Sequence, residues 1–93
     1  AARKQMVEYF ANQYIFKNNT IDSSALNNNL LDGIARHTEG FVGRDISYLM
    51  LGIQQRVLAQ PEPILTQRIV QKVVSEAVEA YKEAQHHSDY ARA

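Results

Sequence analysis

Gly43-Arg44-Asp45-Ile46-Ser47-Tyr48-Leu49-Met50-Leu51-Gly52-Ile53-Gln54-Gln55-Arg56-Val57 carries Ile46, Leu49, Met50, Ile53 and Val57 at i, i+3, i+4, i+7 and i+11. That spacing returns to one side of a helix turning once in about 3.6 residues and matches no strand alternation. It predicts an amphipathic helix over residues 44–60, with Gly43 at its start and Asp45 near its positive end. Gln60-Pro61-Glu62-Pro63 stops it, because proline biases the preceding residue away from the helix and cannot donate to the helical ladder.

The flanking chain repeats the pattern. Beyond the prolines, Thr66 offers a hydroxyl N-cap to a helix over 67–85 whose broad apolar side holds Ile69, Val70, Val73, Val74, Ala77, Val78 and Tyr81. Its β-branched residues are mediocre helix formers, so packing must supply most of its stability. Towards the amino end, Met6, Val7, Phe10 and Tyr14 mark a helix over 3–16, with Arg3, Lys4, Glu8 and Gln13 opposite. Residues 17–28, dense in Asn, Ser and Thr, read as a mobile loop whose only apolar anchors are Ile21 and Leu26. Asn29 reads as the N-cap of a short helix over 30–38, with Asp32 in a capping-box position, Leu31, Ile34 and Ala35 on one face, and Gly40 as the stop. Residues 86–93 read as a polar tail. The reading is one all-α domain of four helices.

Composition narrows the function. A chain of 93 residues, 45% hydrophobic and 22% charged, fits a single small globular domain. Ten basic and ten acidic residues give a formal net charge of +0, so no global attraction draws it to nucleic acid or anionic lipid. Cysteine is absent, which removes disulfides and thiolate zinc sites. No apolar run is long enough to span a bilayer, and Ala1-Ala2-Arg3-Lys4 leads straight into an amphipathic helix, the abrupt start of an excised piece.

Within Thr38-Glu39-Gly40-Phe41-Val42-Gly43-Arg44-Asp45-Ile46, two glycines set an arginine at a helix start. Free backbone N–H groups and the positive dipole end suit an anion there, and a guanidinium adds a planar fork of donors. Arg44, with Gly43 and Gly40, is therefore the candidate phosphate site. Nothing else promises catalysis: the chain has no P-loop, nucleophile elbow or H-E-x-x-H pattern, so no catalytic or metal site is expected. The adjacent His86 and His87 diverge on a helix, so with Asp89 they read as part of a polar tail and not as a metal site. His37, beside Arg36 near the end of a short helix, reads as a capping or surface residue. Tyr9, Tyr14, Tyr48 and Tyr81 sit among aliphatics and read as core or interface packing, not as a base-stacking platform.

These residues resemble a known family. Val7-Glu8-Tyr9-Phe10 with Tyr14, the block Ile34-Ala35-Arg36-His37-Thr38-Glu39-Gly40-Phe41-Val42-Gly43-Arg44-Asp45-Ile46, and Ile64-Leu65-Thr66 look like the C-terminal helical lid of AAA+ ATPases. Within that family they are most similar to the mitochondrial AAA domain-containing 3 group. Many AAA lids resemble Thr-x-Gly-Phe-Ser-Gly-Ala-Asp-Ile in the middle block. The mitochondrial group keeps an arginine corresponding to the sensor-2 position, where this chain has Arg44. Val42 departs from the family's serine, so Gly43 or water must take over the capping. The resemblance implies an ATP hydrolase whose Walker motifs lie in an upstream α/β subdomain outside this chain. ATP and Mg2+ would bind there, none tightly to this segment alone, and Arg44 would pair with the γ-phosphate as the lid closes. It further implies ring-like homo-oligomers at the mitochondrial inner membrane with links to nucleoid organisation, while the balanced charge and the lack of a long apolar run argue against nucleic-acid contact or membrane insertion by this segment itself.

Composition and periodicity fit equally a standalone helical interaction module, holding a partner through apolar surface on the first and last helices. A helix-turn-helix reader built on the third helix fails on charge: Ser47, Tyr48, Gln54 and Gln55 are polar, but only Arg44 and Arg56 would meet phosphates. An upstream P-loop and acidic Walker-B strand would select the ATPase, whereas a coiled coil running into Ala1 would select the module.

Overall fold

The computed structural model describes residues 2–92, with side chains for 2–85. The stripe that opens the sequence argument lies on α3 (Gly43–Leu58), and Ile46, Leu49, Met50, Ile53 and Val57 are all buried. The other helices are α1 (Ala2–Ala11), α2 (Asn28–His37) and α4 (Gln67–Arg92), and no strand occurs among the described residues. The protein is all-α. Contacts run α1 to α2, α2 to α4, α4 to α3 and α3 to α1, a closed cycle around one core.

Beyond Ala11 the first helix continues as a π-helical turn, Asn12–Phe16, closed by Lys17 N–H to the Asn12 carbonyl at 3.1 Å. Packing explains the change. Val7, Ala11 and Ile15 are all fully buried, yet in an uninterrupted α-helix each step of four residues overshoots a turn by about 40°. Ile15 would then lie about 80° round from Val7. The wider π turn takes up that excess and keeps Ile15 in the core. Gln54 of α3 donates to the Tyr14 carbonyl at 2.7 Å, and the Tyr14 and Ser47 hydroxyls are 3.1 Å apart, tying this turn to α3.

Several sequence expectations are corrected. Asn27, not Asn29, caps α2, accepting from Leu30 N–H at 3.0 Å. Asp32 does not complete a capping box; it pairs with Lys4 across to α1. The hydrogen bond between them, with their mutual attraction, lowers the carboxyl's pKa and raises the ammonium's. The segment from 17 to 27 is fastened rather than loose. Ile21 and Leu26 are buried, Asp22 N–H donates to the Pro63 carbonyl at 2.9 Å, and Leu65 N–H donates to the Asp22 carbonyl at 2.9 Å. This pairs Asp22 with Ile64 as an isolated parallel bridge between two loops. Helix α4, capped by Thr66 Oγ1 to Ile69 N–H at 3.2 Å, continues to Arg92 through the stretch read as a polar tail. The His86, His87 and Asp89 side chains lie outside the described residues.

Gly33 interrupts α2 in its middle. A Cβ built there would meet nothing but the Arg36 guanidinium at 3.9 Å, so no neighbour within the domain excludes a side chain. Helical glycine costs conformational entropy, and Gly33→Ala is expected to raise the unfolding free energy by about 0.5–1 kcal/mol. A urea midpoint that fails to rise would show that Gly33 does something within the fold that an open helix position does not.

Candidate functional site

The start of α3 is where the candidate residues fall. Val42 occupies the N-cap position with extended backbone and has no acceptor to offer, so the usual reciprocal cap is only half built. The half that exists is Val42 N–H donating to Asp45 Oδ2 at 3.0 Å. Asp45 thus holds the turn that Val42 cannot. The first α3 backbone bond is Ile46 N–H to the Val42 carbonyl at 3.1 Å, which leaves the N–H groups of Gly43, Arg44 and Asp45 without intrahelical acceptors.

Arg44 is exposed and, among the described residues, makes no hydrogen bond or ion pair. Lys17, Arg36, Arg68, Lys72 and Lys82 are likewise without a partner among the described residues, whereas three basic residues are engaged. Arg3 donates to the Ala35 carbonyl, Lys4 pairs with Asp32, and Arg56 Nη2 lies 3.0 Å from Glu76 on α4. Arg56 reaches across to α4 while remaining exposed. The end of α3 therefore presents a free guanidinium and three unpaired N–H donors, with one carboxylate at the edge that narrows the space for an anion.

Gly43 and Arg44 come together at that helix start, but Gly40 has a different position. It lies in the turn closed by Phe41 N–H to the Thr38 carbonyl at 3.0 Å, with a φ of 89° that L side chains rarely adopt. Its free side faces α4: an added Cβ would sit 2.5 Å from Tyr81 Oη, and that hydroxyl donates to the Gly40 carbonyl at 3.2 Å. The Phe41 and Tyr81 rings pack at 4.8 Å. Turn geometry and Tyr81 account for this glycine within the domain. Just before it, buried Thr38 caps α2 by donating to the Ile34 carbonyl at 2.9 Å.

The tyrosines divide. Tyr14 and Tyr81 pack against the core, while Tyr9 and Tyr48 are exposed and join Val42 and Phe16 on the surface. His37 caps as expected, its Nδ1 lying 2.7 Å from the Gly33 carbonyl. On α3, Ser47, Gln54 and Arg56 are engaged inside the domain, so its polar residues do not form one free face. No group of three His, Cys, Asp or Glu able to hold a metal occurs among the described residues, and no helix there is long and apolar enough to cross a membrane. Tyr81 at Gly40 and Asp45 at Val42 escaped the sequence reading. The Asp45 bond was visible as an acidic residue three positions after the cap, whereas the Tyr81 contact joins residues 41 apart and left no local mark.

No family model matches the chain, and no curated protein or solved structure matches it either.

Proposed function

We propose that this chain is the helical lid of an AAA+ ATPase, closing over ATP held by an upstream α/β subdomain. The observation that carries the reading is Arg44: a guanidinium without partners among the described residues, on a helix start whose Gly43, Arg44 and Asp45 N–H groups lack acceptors. Arginine stays charged and binds phosphate oxygens through two parallel donors, which suits it to distinguish a terminal phosphate from its absence. Bound ATP supplies that terminal phosphate. Arg44 holds it from the lid side, and losing the contact removes the differential interaction that favours the closed lid. Mg2+ and the Walker residues belong to the upstream part. Resemblance to the AAA domain-containing 3 group adds ring-like homo-oligomers and a mitochondrial inner-membrane location to the proposal. Exposed Val42 and Tyr48, on either side of Arg44 in sequence, are apolar surface that an upstream subdomain could cover.

A second reading, a standalone helical interaction module, is favoured by exposed Tyr9 and Phe16 on the first helix. Titrating ATP into the 15N-labelled chain separates the two. The lid reading expects weak binding, with Kd on the order of millimolar, and shifts centred on residues 43–46 that vanish in Arg44→Ala. Submicromolar binding, turnover by the chain alone, or shifts confined to other surfaces would overturn it.

A further inference from the structure

We propose that the groove between α2 and α4 docks an amphipathic helix of a partner protein, about three turns long, with aliphatic anchors and flanks of opposite charge. The groove has a volume of about 750 Å³, and its floor includes Leu30, Ile34, Val70, Val74 and Val78. Its two walls run in the same direction, with Asn27 and Gln67 at one end and His37 and Glu79 at the other. Beyond that end Tyr81 meets Gly40.

Each dimension of the groove selects the occupant. Ten residues of α2 make a wall about 15 Å long, enough for apolar anchors at i, i+3 or i+4, and i+7. Both walls are helices whose backbone groups are already paired, so an extended peptide finds no strand edge to add to. A helix brings its own backbone bonds and needs only side-chain contact. Gly33, where an added Cβ would meet only the exposed Arg36 guanidinium at 3.9 Å, lowers one wall in its middle, and Ser75 is a small residue on the α4 side. That is the shape through which a helix backbone can approach closely. Charge marks one end: exposed Arg36 stands on the α2 side and exposed Glu79 on the α4 side, both towards the His37 end of the groove. A fitting helix carries an acidic residue on the flank that meets Arg36 and a basic residue on the flank that meets Glu79, like the outer positions of a coiled coil.

The groove contains neither Gly43 nor Arg44, so this inference stands beside the lid reading and can fail without it. The test uses two acetylated, amidated 15-residue helical peptides with leucines at i, i+3 and i+7. One has glutamate and lysine flanks, the other glutamine on both flanks. The charged peptide should shift resonances of Gly33, Ile34, Val74 and Val78 in the 93-residue chain. Gly33→Leu, which raises the low point of one wall, and Ser75→Arg, on the exposed α4 side, should each weaken binding at least about tenfold while leaving dispersed spectra. Arg36→Gln should weaken the charged peptide about twofold to fivefold and leave the glutamine-flanked one unchanged. Absence of binding at millimolar peptide, binding indifferent to both groove-filling variants, or equal loss for both peptides in Arg36→Gln would overturn the proposal. So would self-association of the chain abolished by Gly33→Leu, which would give the groove to a second copy.

Discussion

Ile53→Ala is expected to lower the unfolding free energy by about 2–5 kcal/mol, because the lost methyl groups leave a cavity that the neighbours only partly fill. Ile53 is fully buried on α3, the helix that touches both α1 and α4, so relaxation on one side opens the other. A domain of this length has about 5–14 kcal/mol in total, by the usual range per residue. The substitution therefore removes a large share of it. Leu58→Ala on the same helix, 42% exposed, is the comparison and should change stability by less than about 1 kcal/mol. Urea unfolding followed by circular dichroism reads both. A fall of the Ile53→Ala midpoint with unchanged slope is the expected result, and matching midpoints for the two variants would contradict the placement of α3 at the centre of the core.

That placement was legible because a 3.6-residue repeat of five apolar positions reports burial directly, and all five are buried. Thr66 as a cap, the proline stop after α3 and the inner faces of α2 and α4 were equally local signals. What escaped the sequence depends on distant partners. Ile15, about 80° round from Val7 in an uninterrupted α-helix, is kept in the core by the π turn that packs on α3. The 17–27 segment was read by composition as loose, yet its bonds run to Pro63 and Leu65, some 40 residues away. Asn27 and Asn29 are chemically identical caps, and burial of Leu26 and Leu31 decides between them.

At the candidate site, the arginine at a glycine-bounded helix start was visible, and Gly43 and Arg44 stand together there. Gly40 was not separable from them by sequence, since a glycine required by positive φ and one required by a ligand look the same. Val42 raised the question of what replaces a serine cap; Asp45 accepts only from Val42's own N–H, and nothing among the described residues accepts from the helix donors that a serine would cap. The N–H groups of Gly43, Arg44 and Asp45 stay open, as the first N–H groups of a helix do.

The central claim is that Arg44 holds the terminal phosphate of ATP, and ATPase activity of the complete protein with Arg44→Ala tests it most directly. The fold should be nearly unchanged, because an exposed cation at a helix start contributes little and lies at the unfavourable dipole end. Activity should fall by about tenfold to a few hundredfold, corresponding to roughly 1.5–3 kcal/mol for a hydrogen bond to a charged group. Arg44→Lys should recover only part of this, since an ammonium keeps the charge without the planar fork. Arg56→Ala is the control: its exposed pair with Glu76 is worth less than about 1 kcal/mol, and it should hydrolyse ATP like the wild type. Measured at limiting and saturating ATP, loss in Arg44→Ala with Arg56→Ala intact is the predicted result; equal activity of Arg44→Ala and wild type would contradict the account.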